Sequence, residues 1–469
     1  MVGPDYQTPV SCMPNGFIEE RVDQTEERAD ENLAHWWTAF NDPFLNELLD
    51  EALQANFDLG IALEKVCQAR AAFWVQFTDL LPEIEAAGQA TRSRTSQSLT
   101  TSNFLHIPPI QSFYQVGFDA IWEIDIFGGL RRAARAAHAS WEATAEDARN
   151  IRIVVLSEVA ITYANICALQ QTVVNAAQTV RLDEEVYSLA TERFQAGLTN
   201  LQEQESALAT LEGARADLLT AQTSLKKAIY SLGVLLGRPP ESVVEQFEVI
   251  RPIPYASGKV PLGLPAELLR RRPDIRSAER QLAAATENIG VAVAELFPKF
   301  SLTGSTSSFS SNPLQGANVG FVSNMLSKLF TAPSRIWGIG GLVSLPLFDF
   351  GQRLATIKEY SSLEHQALFT YEKTVITALQ EVESDLASYF NEEERMFHLS
   401  REMEASQKAW DLVLDLYQAG LANYTQVLQT EQVWLNAINA LTSSQQALAT
   451  DLISLYKALG GGWECSYMP

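Results

Sequence analysis

The sequence predicts a mixed α and β chain made of two copies of one unit, each a pair of amphipathic strands leading into a very long helical hairpin. Three observations carry this. Two segments, Leu130 to Ala196 and Gln352 to Ala419, contain neither Gly nor Pro. Upstream of each lie residues whose apolar character alternates with a period of two rather than 3.6. Shifting the numbering by 223 then lays one half of the chain on the other, Phe127-Gly128 on Phe350-Gly351 and Leu236-Gly237 on Leu459-Gly460.

Without a breaker, each of the two segments can run as one helix of roughly 65 to 70 residues, about 100 Å long at 1.5 Å per residue. Both are rich in Ala, Leu, Glu, Gln and Arg, so intrinsic propensity agrees. The repeat also aligns Glu158-Val159 with Glu381-Val382, Gln195-Ala196-Gly197-Leu198 with Gln418-Ala419-Gly420-Leu421, and Asn200 with Asn423. Gly197 and Gly420 therefore mark turns, each followed by a returning helix. Past the first turn Leu211, Leu218, Leu225 and Leu232 recur every seven residues with Ala214, Ala221 and Ala228 between them, and Leu441, Leu448 and Leu455 repeat the spacing. Sevenfold spacing predicts coiled-coil packing, and the small Ala residues permit close approach of helices side by side.

The strands are read from alternation. Tyr114, Val116, Phe118, Ala120, Trp122 and Ile124 alternate with Gln115, Gly117, Asp119, Glu123 and Asp125. In the second copy Trp337, Ile339, Gly341, Val343, Leu345 and Leu347 alternate with Gly338, Gly340 and Ser344. Phe300, Leu302 and Gly304 begin a further strand, and Ile84, Ala86, Gly88 and Ala90 a weaker one, so each copy is expected to supply two. Polar loops are expected around Pro108-Pro109 and from about Ser307 to Ser334. Strands of about 11 residues with one oily and one wet face suit an outer-membrane barrel; a soluble antiparallel sheet with one solvated face is the alternative. Four strands cannot close a barrel, and an open edge in lipid leaves backbone groups unpaired, so several chains must share one.

Composition narrows the function classes. The 469 residues carry 34 Lys plus Arg against 57 Asp plus Glu, a formal charge of -23, which opposes nucleic-acid binding; the one dense basic cluster is Arg270 to Arg272. With 46% hydrophobic and 19% charged residues the chain folds. Cys12, Cys67, Cys167 and Cys465 form no CxxC pair, so neither a zinc site nor a disulfide framework is indicated. No transmembrane helix is expected; the nearest stretch, Ala160 to Val180, is interrupted by Asn165, Gln170, Gln171, Asn175 and Gln178. The start, Met1-Val2-Gly3-Pro4, lacks a basic segment followed by an apolar core, so an export signal is expected to have been removed or never present.

No enzyme constellation emerges, and no cofactor or metal is expected. His35, His106, His138, His365 and His398 form no HExxH and no close pair, Gly338-Ile339-Gly340-Gly341 sits in a strand rather than before a GK[ST] helix, and Glu392-Glu393-Glu394 reads as a solvated helix face.

The duplicated plan resembles the TolC-like outer-membrane efflux factors over essentially the whole chain. Val2-Gly3-Pro4-Asp5-Tyr6 with Pro9, Trp36-Trp37, Leu268-Leu269-Arg270-Arg271-Arg272-Pro273-Asp274-Ile275 and Leu296-Phe297-Pro298 resemble its lipoprotein branch serving resistance-nodulation-division (RND) pumps. In that branch a lipid-bearing Cys precedes the Val-Gly-Pro-Asp-Tyr run; here Met1 occupies that position. The resemblance implies a homotrimer in the outer membrane of a Gram-negative-type bacterium, in contact with its lipid. Four strands per chain would give a 12-stranded barrel continuous with a coiled-coil α-helical barrel that reaches into the periplasm, with an equatorial domain around it. It implies a periplasmic adaptor (membrane fusion) protein and an inner-membrane RND-type pump as partners, and a passive exit duct for drugs or other small molecules. A type I secretion duct working with an ABC transporter, and a non-pore coiled-coil structural or adhesin protein, are the alternatives.

On that plan residues 1–45 are an N-terminal extended segment and equatorial part, 46–82 the first copy's helix, 83–126 its β-hairpin and 127–237 its long helical hairpin. Residues 238–262, with Pro239-Pro240, Pro252, Pro254 and Pro261, form an equatorial connector. The second copy follows as a helix at 263–298, a β-hairpin at 299–349 and a helical hairpin at 350–460, with a C-terminal tail at 461–469.

By resemblance the turns are the periplasmic aperture, with Gly197, Leu198, Asn200, Gly420, Leu421 and Asn423 at the tip meeting the adaptor. Gln426 and Gln429 stand where relatives commonly carry aspartates; one helical turn apart, both amides can face the axis and stack into uncharged rings, or one or both can face a neighbouring helix. Tyr417 and Glu203 occupy positions that, by resemblance, tie the inner coiled coil to a neighbouring helix in the closed state, where a charge-assisted hydrogen bond could latch the tip; ordinary packing of Tyr417 and solvent exposure of Glu203 are the alternatives.

Overall fold

The structure, a computed structural model, describes residues 1–9, 13–19, 33–94, 110–256, 265–304 and 317–463. Cys12, Cys465, His106, Pro261 and the Pro108-Pro109 loop lie outside the described residues. The chain divides into two compact units, one made of Met1–Val10, Lys65–Thr144 and Ser277–Tyr371, the other of Ser11–Glu64, Ala145–Arg276 and Glu372–Pro469.

The first unit holds the sheet. β1 (Glu83–Arg94) pairs antiparallel with β2 (Ile110–Ile124) along its whole length, Glu83 opposite Ile121 and Arg94 opposite Ile110. The other edge of β2 is shared by β3 (Lys299–Gly304) and β4 (Ala317–Ser323), which lie end to end: successive β2 residues Ala120 and Asp119 face Gly304 and Asn318. β5 (Arg335–Gly338) pairs with β4 and β6 (Gly340–Ser344) with β3, again end to end and separated only by Ile339. The six strands thus occupy four lanes. Two corrections follow. The segment expected to be loop from about Ser307 to Ser334 contains β4, because Val319 and Phe321 continue the alternation opposite β2. The last strand ends at Ser344 rather than near Leu347, since Pro346 has no N–H to offer a ladder.

The sheet wears its oily face outward. Phe118, Val319, Trp337 and Val343 are each at least 60% exposed, whereas Gln115 is 3% exposed. A soluble sheet would bury the first set and wet the second. Such a surface suits hydrocarbon.

At the base of this unit Met1–Tyr6 forms a strap on the start of a long helix. Val2 N–H donates to Phe127 O at 3.1 Å. Arg132, 1% exposed, donates to Pro4 O (2.8 Å), Gly3 O (3.3 Å), Asp5 (2.8 Å) and Glu287 (3.1 Å), and the Tyr6 phenol donates to Glu279 (3.0 Å). The Val-Gly-Pro-Asp-Tyr run is therefore a ligand for a buried guanidinium, which must be multiply paired to stay charged away from water.

The longer helices are α1 (Pro43–Ala55), α2 (Phe57–Thr78), α3 (Gly129–Gln195), α4 (Leu201–Leu235), α5 (Pro273–Ala294), α6 (Gln352–Gln418) and α7 (Tyr424–Ala458). α3 and α6 run for 67 residues each, as their lack of interior Gly and Pro predicts, and α4 and α7 for 35, α4 continuing through Gly213 and Gly233. α3 includes a stretch long and apolar enough to cross a membrane by length and composition, contrary to expectation; 67% of it is buried inside protein. Val155, Leu156, Val159, Tyr163 and Ile166 form the core of the second unit with Trp36, Leu45, Leu49, Leu386, Leu452 and Tyr456. Burial against partner helices, rather than lipid, is what its apolar residues serve.

Arg272 closes this core. Only 8% exposed, it makes a two-pronged bond to Asp274 (3.0 and 2.7 Å), reaches Glu381 at 2.7 Å and donates to Ala458 O at 3.1 Å. Burial and Glu381 push the nearby Asp385 carboxyl up to about 6. The basic cluster is thus partly a structural joint. Replacing Arg272 with Ala removes its hydrogen bonds to Asp274, Glu381 and Ala458 O, and is expected to cost about 2 kcal/mol in denaturant unfolding of the detergent-solubilised protein, with Arg272→Lys losing less.

Candidate functional site

The two helix-hairpin tips are built alike. α3 ends at Gln195 and Gly197 enters the left-handed region (φ 70°), so that Leu198 N–H donates back to Arg193 O at 2.9 Å. α6 ends at Gln418, Gly420 has φ 77°, and Leu421 N–H donates to Leu416 O at 2.8 Å. A Cβ at either position would be strained, which explains the repeated glycines. Asn200 and Asn423 then cap α4 and α7, accepting from Glu203 N–H (3.0 Å) and Gln426 N–H (2.9 Å). Leu198 and Leu421 are left 72% and 77% exposed.

The duplication places Glu203 and Gln426 at the same position of their helices, yet the side chains diverge. The Gln426 side-chain oxygen accepts from its own cap, Asn423 N–H, at 3.1 Å, a closed capping box. Glu203 instead accepts from the Thr199 hydroxyl (2.6 Å) and from the Tyr417 phenol (2.5 Å). Tyr417 is wholly buried, its carbonyl accepts from Arg193 at 2.7 Å, and the same guanidinium lies 4.6 Å from the centre of its ring. Burial, then the Glu203 hydrogen bond, hold the phenol above its ordinary pKa, so it remains a donor. Tyr417 and Glu203 are thereby brought together. Gln426 and Gln429 both lie exposed on α7, but the carbonyl of Gln426 is turned back onto its helix start, leaving its NH2 group for other partners.

Behind the tips Trp410 and Trp434 stack at 6.1 Å, packed with Val186, Ala190, Ala207, Tyr424 and Val427. Arg193 and the buried carboxyls Asp183 and Glu431 in this region were not anticipated. Glu431 was legible in principle, since Tyr424, Val427 and Trp434 at three-four spacing form an apolar stripe that it interrupts. Arg193 had no such signal, because its role depends on a carbonyl from the other copy. Among the described residues no group of His, Cys, Asp and Glu is placed to hold a metal ion.

The sequence profile of the outer membrane efflux proteins matches residues 48–238 and 264–461. The chain belongs to that family. The Escherichia coli cation efflux system protein CusC is 30% identical over 465 residues, 99% of this chain and 96% of the relative. The pyoverdine export outer membrane protein OpmQ of Pseudomonas aeruginosa is 33% identical over 441 residues, 92% and 88% of the two chains. Among solved structures the outer-membrane channel OprN is 29% identical with a TM-score of 0.88, covering 98% of this chain and 99% of that one. An outer membrane efflux protein of this kind is a channel protein, located in the outer membrane of a Gram-negative bacterium.

The capping box gives a local test. Asn423→Ala is expected to cost about 1 kcal/mol at the start of α7, read as faster amide hydrogen exchange at Gln426 and Val427 with the remainder of the helix unchanged.

Proposed function

We propose that this chain is the exit duct of a tripartite efflux system, a homotrimer that passes drugs or other small molecules from a periplasmic adaptor and an inner-membrane pump of the RND type to the outside. The observation that carries the reading is the four-lane sheet with its apolar face outward. Among the described residues β1 pairs only with β2, and the lane of β5 and β6 pairs only with that of β3 and β4, so two edges remain. In hydrocarbon each unpaired backbone group costs several kcal/mol, and joining edge to edge between chains removes the cost. Three chains would supply a 12-stranded barrel. The hairpins at 127–237 and 350–460 would form the wall of the tunnel, and the connector at 238–262 part of its belt.

The tip is the gate in this reading. The bonds from Tyr417 to Glu203 and from Arg193 to Tyr417 O tie a second-copy helix to the first-copy turn, so breaking them would free one hairpin to swing. Gln426 and Gln429 would line the aperture, selecting cations less strongly than carboxylates do. Exposed Leu198 and Leu421 suit contact with an adaptor.

The double variant Tyr417→Phe with Glu203→Gln is expected to raise single-channel conductance in planar bilayers while the protein still fractionates with outer membranes and migrates as a trimer in mild detergent. Wild-type conductance in that variant argues against the latch, and a monomer found in buffer argues against the duct. Crosslinked copurification identifies the partners; recovery of an ABC transporter in place of an RND pump would favour the secretion alternative.

A further inference from the structure

Asp183 on α3 and Glu431 on α7 are 3% and 4% exposed, and their carboxyls lie within hydrogen-bonding reach of each other. Both stand in apolar seams, Glu431 between Val427 and Trp434, and Asp183 ahead of Val186 and Ala190. Asp183 Oδ2 is buried and accepts no N–H or hydroxyl hydrogen from the protein. Two charged carboxylates in such a place would repel with little screening; one proton between them supplies the missing donor and removes the repulsion.

The pair borders a cavity of about 530 Å3 between α3, α4 and α7; among the described residues Asp217 of α4 is the only further ionisable side chain lining it, and no Lys, Arg or His does. Tyr424 of α7 lies within electrostatic reach of the pair, with its phenol 3.4 Å from the Thr210 hydroxyl, and Tyr417 of α6 is engaged by Glu203. The half-exposed Arg215 is bonded to Glu184 and Glu212, both at 2.7 Å. On α6 Lys408, Asp411 and Asp415 are exposed.

We propose that Asp183 and Glu431 hold one proton between them at neutral pH and form a clamp between α3 and α7, which alkaline conditions open by ionising both. Burial, then Asp183, push Glu431 up to about 9, and burial raises Asp183 above the usual carboxylate range. The sign follows from linkage. The folded state holds a proton that the unfolded chain releases in the ordinary carboxylate range, so the clamp's stabilisation is complete below that range and is lost as pH rises to about 9. The clamp itself does not depend on the gate; its effect on conductance rests on the gate reading, because α7 carries Gln426 and Gln429 and α3 carries Arg193.

Infrared difference spectra of the intact detergent-solubilised protein, titrated from neutral to strongly alkaline pH, are expected to lose a protonated-carboxyl carbonyl band with a midpoint of about 9. Glu431→Gln, whose amide can still donate to Asp183, is expected to remove that band while thermal stability becomes independent of pH over the same range. Absence of the band at neutral pH in the wild type, or its persistence in Glu431→Gln, overturns the proposal. The wild-type titration decides the matter even if the variant fails to fold. In bilayers the wild-type conductance is expected to rise over the same pH interval and that of Glu431→Gln to stay flat. A flat wild-type conductance alongside a titrating band would overturn the link to the gate and leave the clamp standing, which separates the two readings.

Discussion

The backbone's demand for hydrogen bonds in a medium that offers none governs this protein. Lipid tails accept nothing from an N–H group, so a chain that places strands in a membrane must pair every edge. This chain supplies four lanes and leaves the outer edges of β1 and of the β5 and β6 lane without a partner among the described residues. The closed barrel of several chains proposed above would pair both edges. The outward Phe118, Val319, Trp337 and Val343 are consistent with this, because they would be a liability on a protein surrounded by water.

The helices solve the same demand differently. The two longest satisfy their backbones internally for 67 residues each, and the problem is moved to the ends, where carbonyls and amides lack partners. Gly197 with Asn200, and Gly420 with Asn423, meet that need twice over. The two ends are nevertheless not identical. Gln426 completes a local cap, while the equivalent Glu203 reaches the phenol of Tyr417 in the other copy. A symmetric scaffold so acquires an asymmetric bond.

Several polar side chains stand in the apolar seams of the scaffold. Arg132 and Arg272 are buried with several partners each and act as joints, one for the N-terminal strap and one for the core that includes Tyr456 and Leu459. The pair Asp183 and Glu431 differs because both members are acids, which hold each other only while a proton lies between them. Its charge state is therefore the variable on which that part of the bundle depends.

Local pattern alone determined the long helices, the positions of their turns, the amphipathic strands and the duplication, because Gly and Pro placement, periodicity and repeat register are properties of neighbouring residues. The strand lanes were legible only in part. β4 fell in a segment rich in Ser and Asn, and its assignment rests on pairing with β2 across a large sequence separation. The pairing of Tyr417 with Glu203 was suggested by resemblance, whereas the part played by Arg193, the inward turn of Gln426 and the meeting of Asp183 with Glu431 were decided by tertiary structure. Each depends on which faces of helices from different copies come together, and a helix's own sequence states its apolar stripe but not the residue that will stand opposite it.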